Sequence, residues 1–384
     1  ARPYDSAAPP LTGALSVRLR STFERHCQMV IVLFVVGLGL LIVGAEALVR
    51  GASKLAALFG ISPLVVGLTV VAFGTSSPEL AVSINAALND QASIALGNVV
   101  GSNIFNVLFI LGAAALIVPL VVTHALIRRD VPLMIGVSVL VWLFAFNGSL
   151  SRVEGLVLCG LLAGYIGLLI THSRRESAAA LAASDAGPAP AATAKTWLVN
   201  LGLVAVGLLL LVIGSKWLVE GAVTFARHLG VSELVVGLTI VAAGTSLPEV
   251  VTSIIAALRG ERDIAVGNVV GSNLFNLMGV LGIASVVAPA GMAVTPAVIG
   301  FDLPVMMAVA VACLPIFFTG GEISRREGAV LLAYYVAYTT YLILAATQHS
   351  AVPTIGSAML YFVLPLTFLT LLVLLLQERR RRAR

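Results

Sequence analysis

Charge is what this chain has least of: 11% of its 384 residues are Asp, Glu, Lys or Arg, against roughly 25% in an average soluble protein. Apolar residues make up 59%, and the mean hydropathy is +1.05. Surface-to-volume scaling leaves much of a chain this size exposed, which excludes one large water-soluble domain. The same composition excludes disorder, and the pI of about 9.4 does not imply a nucleic-acid partner. Cysteine is equally sparse. Cys27, Cys159 and Cys313 stand far apart, with no CxxC and no nearby His, so neither a disulfide framework nor a zinc site is indicated. They read as small apolar packers. The first 28 residues hold Pro9-Pro10 and four Arg without an apolar stretch, unlike a cleaved signal peptide.

Apolar runs are what the chain has in abundance, and they identify an all-α polytopic membrane protein. A helix needs about 20 apolar residues to cross the hydrocarbon. Such runs lie near 29–49, 62–88, 94–118, 131–147 and 153–171, then near 197–219, 232–258, 264–288, 298–318, 327–347 and 353–376. Eleven spans result. Between the fifth and sixth, residues 173–196 are rich in Ala, Ser and Pro and read as a short flexible linker. Of the 23 Lys and Arg, 16 fall on the side of the linker and the C-terminal Arg run. The positive-inside rule therefore puts that side in the cytoplasm and the N-terminus outside.

The chain repeats itself at an offset of 170 residues. Gly67 to Asn89 matches Gly237 to Arg259 at 15 of 23 positions, and Ala95 to Leu108 matches Ala265 to Met278 at 10 of 14. Each copy occupies five spans, an odd number, so equivalent helices must cross the membrane in opposite directions. Inverted repeats with broken helices are an architecture of secondary transporters, with the binding site near the midplane. The divisions expected are an N-terminal extension (1–28), a first repeat (29–172), the linker (173–196), a second repeat (197–348), and an extra helix with an Arg-rich tail (349–384).

The repeated residues carry oxygen chemistry. Pro78 and Pro248 lack an N–H, which frees the carbonyls of Gly74 and Gly244. Bare backbone at that depth is tolerated where it lines a cavity. Thr75, Ser76 and Glu79 share one helical face, extended by Ser83; Thr245, Ser246 and Glu249 repeat it. A carboxylate at mid-bilayer costs roughly 3 kcal/mol on insertion scales, so two at symmetric positions point to a cationic partner. Asn98, Ser102 and Asn106 form a second polar stripe, mirrored by Asn268, Ser272 and Asn276. Gly97 and Gly101, with Gly267 and Gly271, would let that stripe approach the broken helix closely. Carboxylates, amides, hydroxyls and carbonyls suit Ca²⁺ or Na⁺ and disfavour softer metals. Two carboxylates also match the charge of one Ca²⁺.

With GTSxPE and GNVVGSNxFN each present twice, the sequence resembles the sodium/calcium exchanger family of the cation/calcium antiporter superfamily, in its short prokaryotic form. That resemblance covers about residues 29–347. It implies two inverted five-helix repeats and exchange of Na⁺ for Ca²⁺ by alternating access, with the first and sixth helices sliding across the rest. It also implies an ion-ligand set of Thr75, Ser76, Glu79, Ser102, Asn106, Thr245, Ser246, Glu249, Ser272 and Asn276, with the carbonyls of Ala72 and Ala242. The transported ions would be Ca²⁺ and Na⁺, with no cofactor, no enzymatic activity and the inner membrane of a prokaryote as the setting. Many exchangers carry Asp where this chain has Asn276, and in the potassium-dependent branch that Asp is linked to K⁺. H⁺/Ca²⁺ antiport on the same fold is the nearest rival. A membrane hydrolase using Ser76 or Ser77 lacks a His base at membrane depth, and a passive cation channel would show uncoupled flux.

Two further features read as ordinary helix chemistry. Asp130 and Asp302 precede Val131-Pro132 and Leu303-Pro304 and look like helix N-caps. Glu46/Arg50 and Lys216/Glu220 look like intrahelical i, i+4 pairs at opposite membrane faces.

Overall fold

The computed structural model describes residues 12–183, 193–228, 240 and 242–367, with isolated positions beyond. In chain order, α1 runs over Thr12–Phe59, and a bent pair follows, α2 over Pro63–Thr75 and α3 over Ser77–Leu88. Next come α4 (Ala92–Ile117), strand β1 (Leu120–Val121), α5 (Val131–Ala145), β2 (Ser149–Leu150) and α6 (Arg152–Ala183). The second half holds α7 (Ala194–His228), α8 (Leu247–Leu258), α9 (Arg262–Val287), β3 (Met292–Ala293), α10 (Val298–Phe318), β4 (Glu322–Ile323) and α11 (Arg325–Ala346). Helix α12 (Val352–Thr367) stands outside the repeat.

A helix thus lies at each of the eleven expected positions, although the first part of the seventh and the end of the eleventh fall outside the described residues. Among the described residues, seven helices are long and apolar enough to span a bilayer singly, and the α2–α3 pair makes an eighth. Helix α5 continues from a π-helical turn over Leu126–Asp130, which carries Arg128, Arg129 and Asp130.

The inversion is visible where α1 meets its repeat counterpart α7. Gly37 packs on Gly214, Gly44 on Gly207 and Gly51 on the Asn200 carbonyl, so residue numbers rise on one helix as they fall on the other. The two equivalent helices are antiparallel. Glycines seven apart recur on one face about every two turns, and each lets backbone meet backbone there.

The halves are interlaced. Strand β1 pairs antiparallel with β4, and β2 with β3, so each ribbon joins the two repeats. The fifth helix of each repeat packs on the third helix of the other: Gly155 of α6 lies against Gly282 of α9, and Gly328 of α11 against Gly112 of α4. Both fifth helices open with a capping box. Ser324 and Glu327 exchange side-chain-to-backbone bonds, as do Ser151 and Glu154.

Four expectations change. Residues 173–183 of the expected linker continue α6 as helix and α7 begins at Ala194; residues 184–192 lie outside the described residues. Helix already runs from Thr12, inside the stretch expected to be an extension. Asp130 and Asp302 make no capping bonds, because each ends a π-helical turn (Leu126–Asp130 and Val298–Asp302) whose N–H groups already have helical partners. Asp130 is buried instead against Arg129 Nε at 2.9 Å and the Tyr165 hydroxyl at 3.0 Å. Finally, Glu46 is more than an intrahelical partner: Arg50 reaches it at 2.7 Å, and Arg259 at the end of α8 also binds it.

Candidate functional site

The break between α2 and α3 bends the chain by 47° at Ser76. Pro78 enters the new helix in its first turn, where a missing N–H is harmless. The bend sets Ser76 and Glu79 at the buried start of α3, and the same sequence sets Ser246 and Glu249 at the start of α8. All four are fully buried.

The two halves then exchange hydrogen bonds. Ser76 Oγ donates to Glu249 Oε1 at 2.9 Å, and Ser246 Oγ donates to Glu79 Oε1 at 2.8 Å. Ser246 Oγ also meets Ser102 Oγ at 3.1 Å, which brings the α4 stripe into the same cluster. Thr75 Oγ1 donates to Asn268 Oδ1 at 3.1 Å, and Thr245 Oγ1 to Asn98 Oδ1 at 3.4 Å. Every one of these contacts crosses between repeats.

Asn98 and Asn268 support the acids from behind. Asn98 Nδ2 donates to the Glu79 carbonyl at 3.1 Å and to Ser83 Oγ at 2.9 Å. Asn268 Nδ2 does the same to the Glu249 carbonyl at 3.4 Å and to Ser253 Oγ at 3.0 Å. The Ala72 carbonyl accepts Ser76 N at 3.0 Å and Thr75 Oγ1 at 3.4 Å. Ala242 begins the short turn Ala242–Gly244. The Gly244 carbonyl freed by Pro248 takes a hydrogen bond from Ser215 Oγ of α7 at 2.7 Å, a partner that the repeat sequence did not reveal because Ala45 occupies the matching place on α1.

The glycines of the second stripe do as expected. A Cβ on Gly271 would lie 2.7 Å from Leu68 Cα, and one on Gly267 would lie 3.0 Å from the Leu64 carbonyl. They seat α9 on the broken helix of the first repeat. The segment that would mirror this against Gly97 and Gly101 falls mostly outside the described residues.

Several buried oxygens in this cluster have no hydrogen-bond partner: Glu79 Oε2, Glu249 Oε2, Asn106 Oδ1, Asn276 Oδ1 and Ser272 Oγ. Leaving such an atom unpaired costs about 1–3 kcal/mol, more for a charged one. Groups of this kind are rare in native folds, and a bound ion or water is one of the partners that accounts for them. Among the described residues no third acid, His or Cys joins the two glutamates. The arrangement is a buried cluster whose unpaired groups are all oxygens, two of them on carboxylates, chemistry that suits a hard cation.

Sequence reasoning missed Asn103 and Asn273. They sit one position past the Ser102 and Ser272 stripe, yet both are buried and bonded across the pseudo-dyad to Asn276 and Asn106. Their exact repetition at the 170-residue offset was the available signal.

Comparison with known proteins agrees with this geometry. The family model described as sodium/calcium exchanger protein matches residues 29–171 and 199–344. Inner membrane protein YrbG of Escherichia coli strain K12 is 37% identical over 322 residues, covering 81% of this chain and 95% of the relative. Sodium/calcium exchanger MaX1 of Methanosarcina acetivorans is 35% identical over 342 residues, covering 81% and 97%. Among solved structures, the sodium-calcium exchanger NCX_Mj, soaked with Na⁺ and without Ca²⁺, superposes with a TM-score of 0.70 at 28% identity, over 83% of this chain and 99% of that one. With two repeats interlocked around paired acids and both repeats matched, the chain belongs to the sodium/calcium exchanger protein family.

Proposed function

We propose that this protein exchanges Na⁺ for Ca²⁺ across the membrane, with Glu79 and Glu249 holding the cation where the two repeats meet. The observation that carries the reading is the reciprocal pair Ser76–Glu249 and Ser246–Glu79, surrounded by buried oxygens without partners. Each glutamate keeps one oxygen for a serine and one free. The serine hydroxyls spend their protons on the acids, so their lone pairs remain for a metal. Thr75, Thr245, Ser102, Ser272, Asn106, Asn276 and the Ala72 and Ala242 carbonyls complete the ligand set. Two negative charges balance one Ca²⁺ in a site where unpaired charge is costly, and the neutral oxygens around them suit Na⁺ ions that replace it.

Residues 29–172 and 197–348 act as the two exchanger repeats. Alternating access follows if the glycine-packed α1–α7 pair moves as one body across the remaining helices. The names of the relatives, a sodium/calcium exchanger and an inner membrane protein, support transport of these ions in a prokaryotic inner membrane. Lys/Arg asymmetry supports an external N-terminus and a cytoplasmic C-terminus.

The test is Ca²⁺ uptake into inside-out vesicles, driven separately by a Na⁺ gradient and by a pH gradient. Uptake driven by Na⁺ is the expected result. Uptake driven by the pH gradient alone would replace this reading with H⁺/Ca²⁺ antiport, and Ca²⁺ flux without any counter-ion would replace it with a channel.

A further inference from the structure

Four asparagines form a closed amide cluster between the two third helices, α4 and α9. Asn106 Nδ2 donates to Asn273 Oδ1 at 3.0 Å, and Asn276 Nδ2 donates to Asn103 Oδ1 at 3.2 Å. Asn103 Nδ2 in turn donates to the Asn273 backbone carbonyl at 3.5 Å, and Asn273 Nδ2 to the Asn103 carbonyl at 3.3 Å. The sulfurs of Met306 and Met134 lie at 3.6 Å from those same nitrogens. All four side chains are buried.

The direction of every amide in this cluster is forced. A backbone carbonyl can only accept, so Asn103 and Asn273 must turn their NH₂ groups toward it. Their Oδ1 atoms then face the neighbouring asparagines, which must answer with NH₂. The amide oxygens of Asn106 and Asn276 are left on the other side, buried and without a partner. An asparagine in isolation could rotate by half a turn and offer its NH₂, the positive end of the amide dipole, to a cation. Here that rotation would set oxygen against oxygen and leave the NH₂ of a buried amide unpaired, which costs more than the present arrangement.

We propose that Asn103 and Asn273 are positioning residues, which bind no ion themselves and hold the amide oxygens of Asn276 and Asn106 toward the transported cation. Each acts on the other repeat, so the ligands of one half are set by the other. The inference rests on the proposed reading of Asn106 and Asn276 as ion ligands.

The experiment is a double-mutant cycle in reconstituted vesicles, measuring Na⁺-driven Ca²⁺ uptake against Ca²⁺ concentration for Asn273→Ala, Asn106→Ala and the double variant. Asn273→Ala is expected to raise the half-saturating Ca²⁺ concentration about tenfold, in the range found for residues that orient metal ligands, with the maximal rate largely kept. In the Asn106→Ala background the same substitution should add little, since the group it orients is gone. A purely structural role would instead lower the melting temperature of the purified protein without Ca²⁺ and leave the increment on adding Ca²⁺ intact. Undiminished effects in both backgrounds, or an unchanged half-saturating concentration in Asn273→Ala, would overturn the positioning role. If Asn106→Ala itself leaves the Ca²⁺ dependence unchanged, the ligand assignment fails first, and the two failures are told apart. Should Asn273→Ala not fold, the mirror cycle of Asn103→Ala with Asn276→Ala applies the same criteria.

Discussion

Gly44 on the first helix and Gly207 on its repeat counterpart meet so closely that a Cβ on either would stand 2.8 Å from the carbonyl oxygen of the other. Small residues at a membrane helix crossing let backbones pack directly, which matters because lipid supplies no hydrophobic drive between helices. The glycines spaced seven apart on α1 and at Gly207 and Gly214 of α7 therefore give rigidity as well as contact, since at these crossings backbone meets backbone directly.

Gly207→Val is expected to force the pair apart and cost about 1–3 kcal/mol, the usual penalty of overpacking. Gly202→Ala, on the same helix where an added Cβ would meet no described atom within 4 Å, should leave stability nearly unchanged. Thermal unfolding of the two purified variants in detergent makes the comparison. Equal melting temperatures would mean that the crossing is looser than its geometry.

Glu79→Gln and Glu249→Gln should each abolish Na⁺-driven Ca²⁺ uptake while membrane insertion is retained. Glutamine keeps the shape and an acceptor for the serine bond but removes one of two charges that offset the cation. Near-normal flux in either variant would remove the acids from the site.

Ca²⁺ should stabilise the purified protein, by about 2.7 kcal/mol at one hundred times its dissociation constant, and chelation should reverse the gain. The increment should vanish in Glu249→Gln. Calorimetry with and without a chelator reads both, and an increment that survives the substitution would locate Ca²⁺ elsewhere.

Ser215→Ala should lower stability by about 1–3 kcal/mol by stripping the Gly244 carbonyl of its donor in a buried setting. A drop well under that range would mean that the carbonyl finds another donor.

Arg259→Ala should cost under about 1 kcal/mol, because Glu46 and Arg259 are each about one-third exposed, at 30% and 34%, and partly solvated ion pairs contribute little. Their bond, with Arg50 on the same glutamate and Ser53 bonded to Glu261 at 2.6 Å, ties α1 to the end of α8. In 1 M salt, where the screening length falls to about 3 Å, variant and parent should converge in melting temperature.

Much of the candidate site is legible in the sequence. Helical spacing alone put Thr75, Ser76 and Glu79 on one face, and the duplicated prolines marked where each helix must break. Asn103 is not marked by any periodicity within α4, because its side-chain partner Asn276 lies 173 residues away. Asp130 was misread for a related reason. Asp before Val-Pro is a good cap in isolation, but the preceding turn stays helical, the N–H groups are already used, and Tyr165 supplies the partner.

From the amino-acid order alone came the membrane class, the duplication, its inversion and the two acids, because each is written in local chemistry: apolar length, repeated motifs, and an odd number of spans per copy. Folding in three dimensions decided who meets whom. That Ser76 serves Glu249, that β1 pairs with β4, and that each fifth helix leans on the other repeat are contacts between distant segments. Such contacts depend on packing shape and on burying every polar group with a partner, and a chain read residue by residue does not carry them.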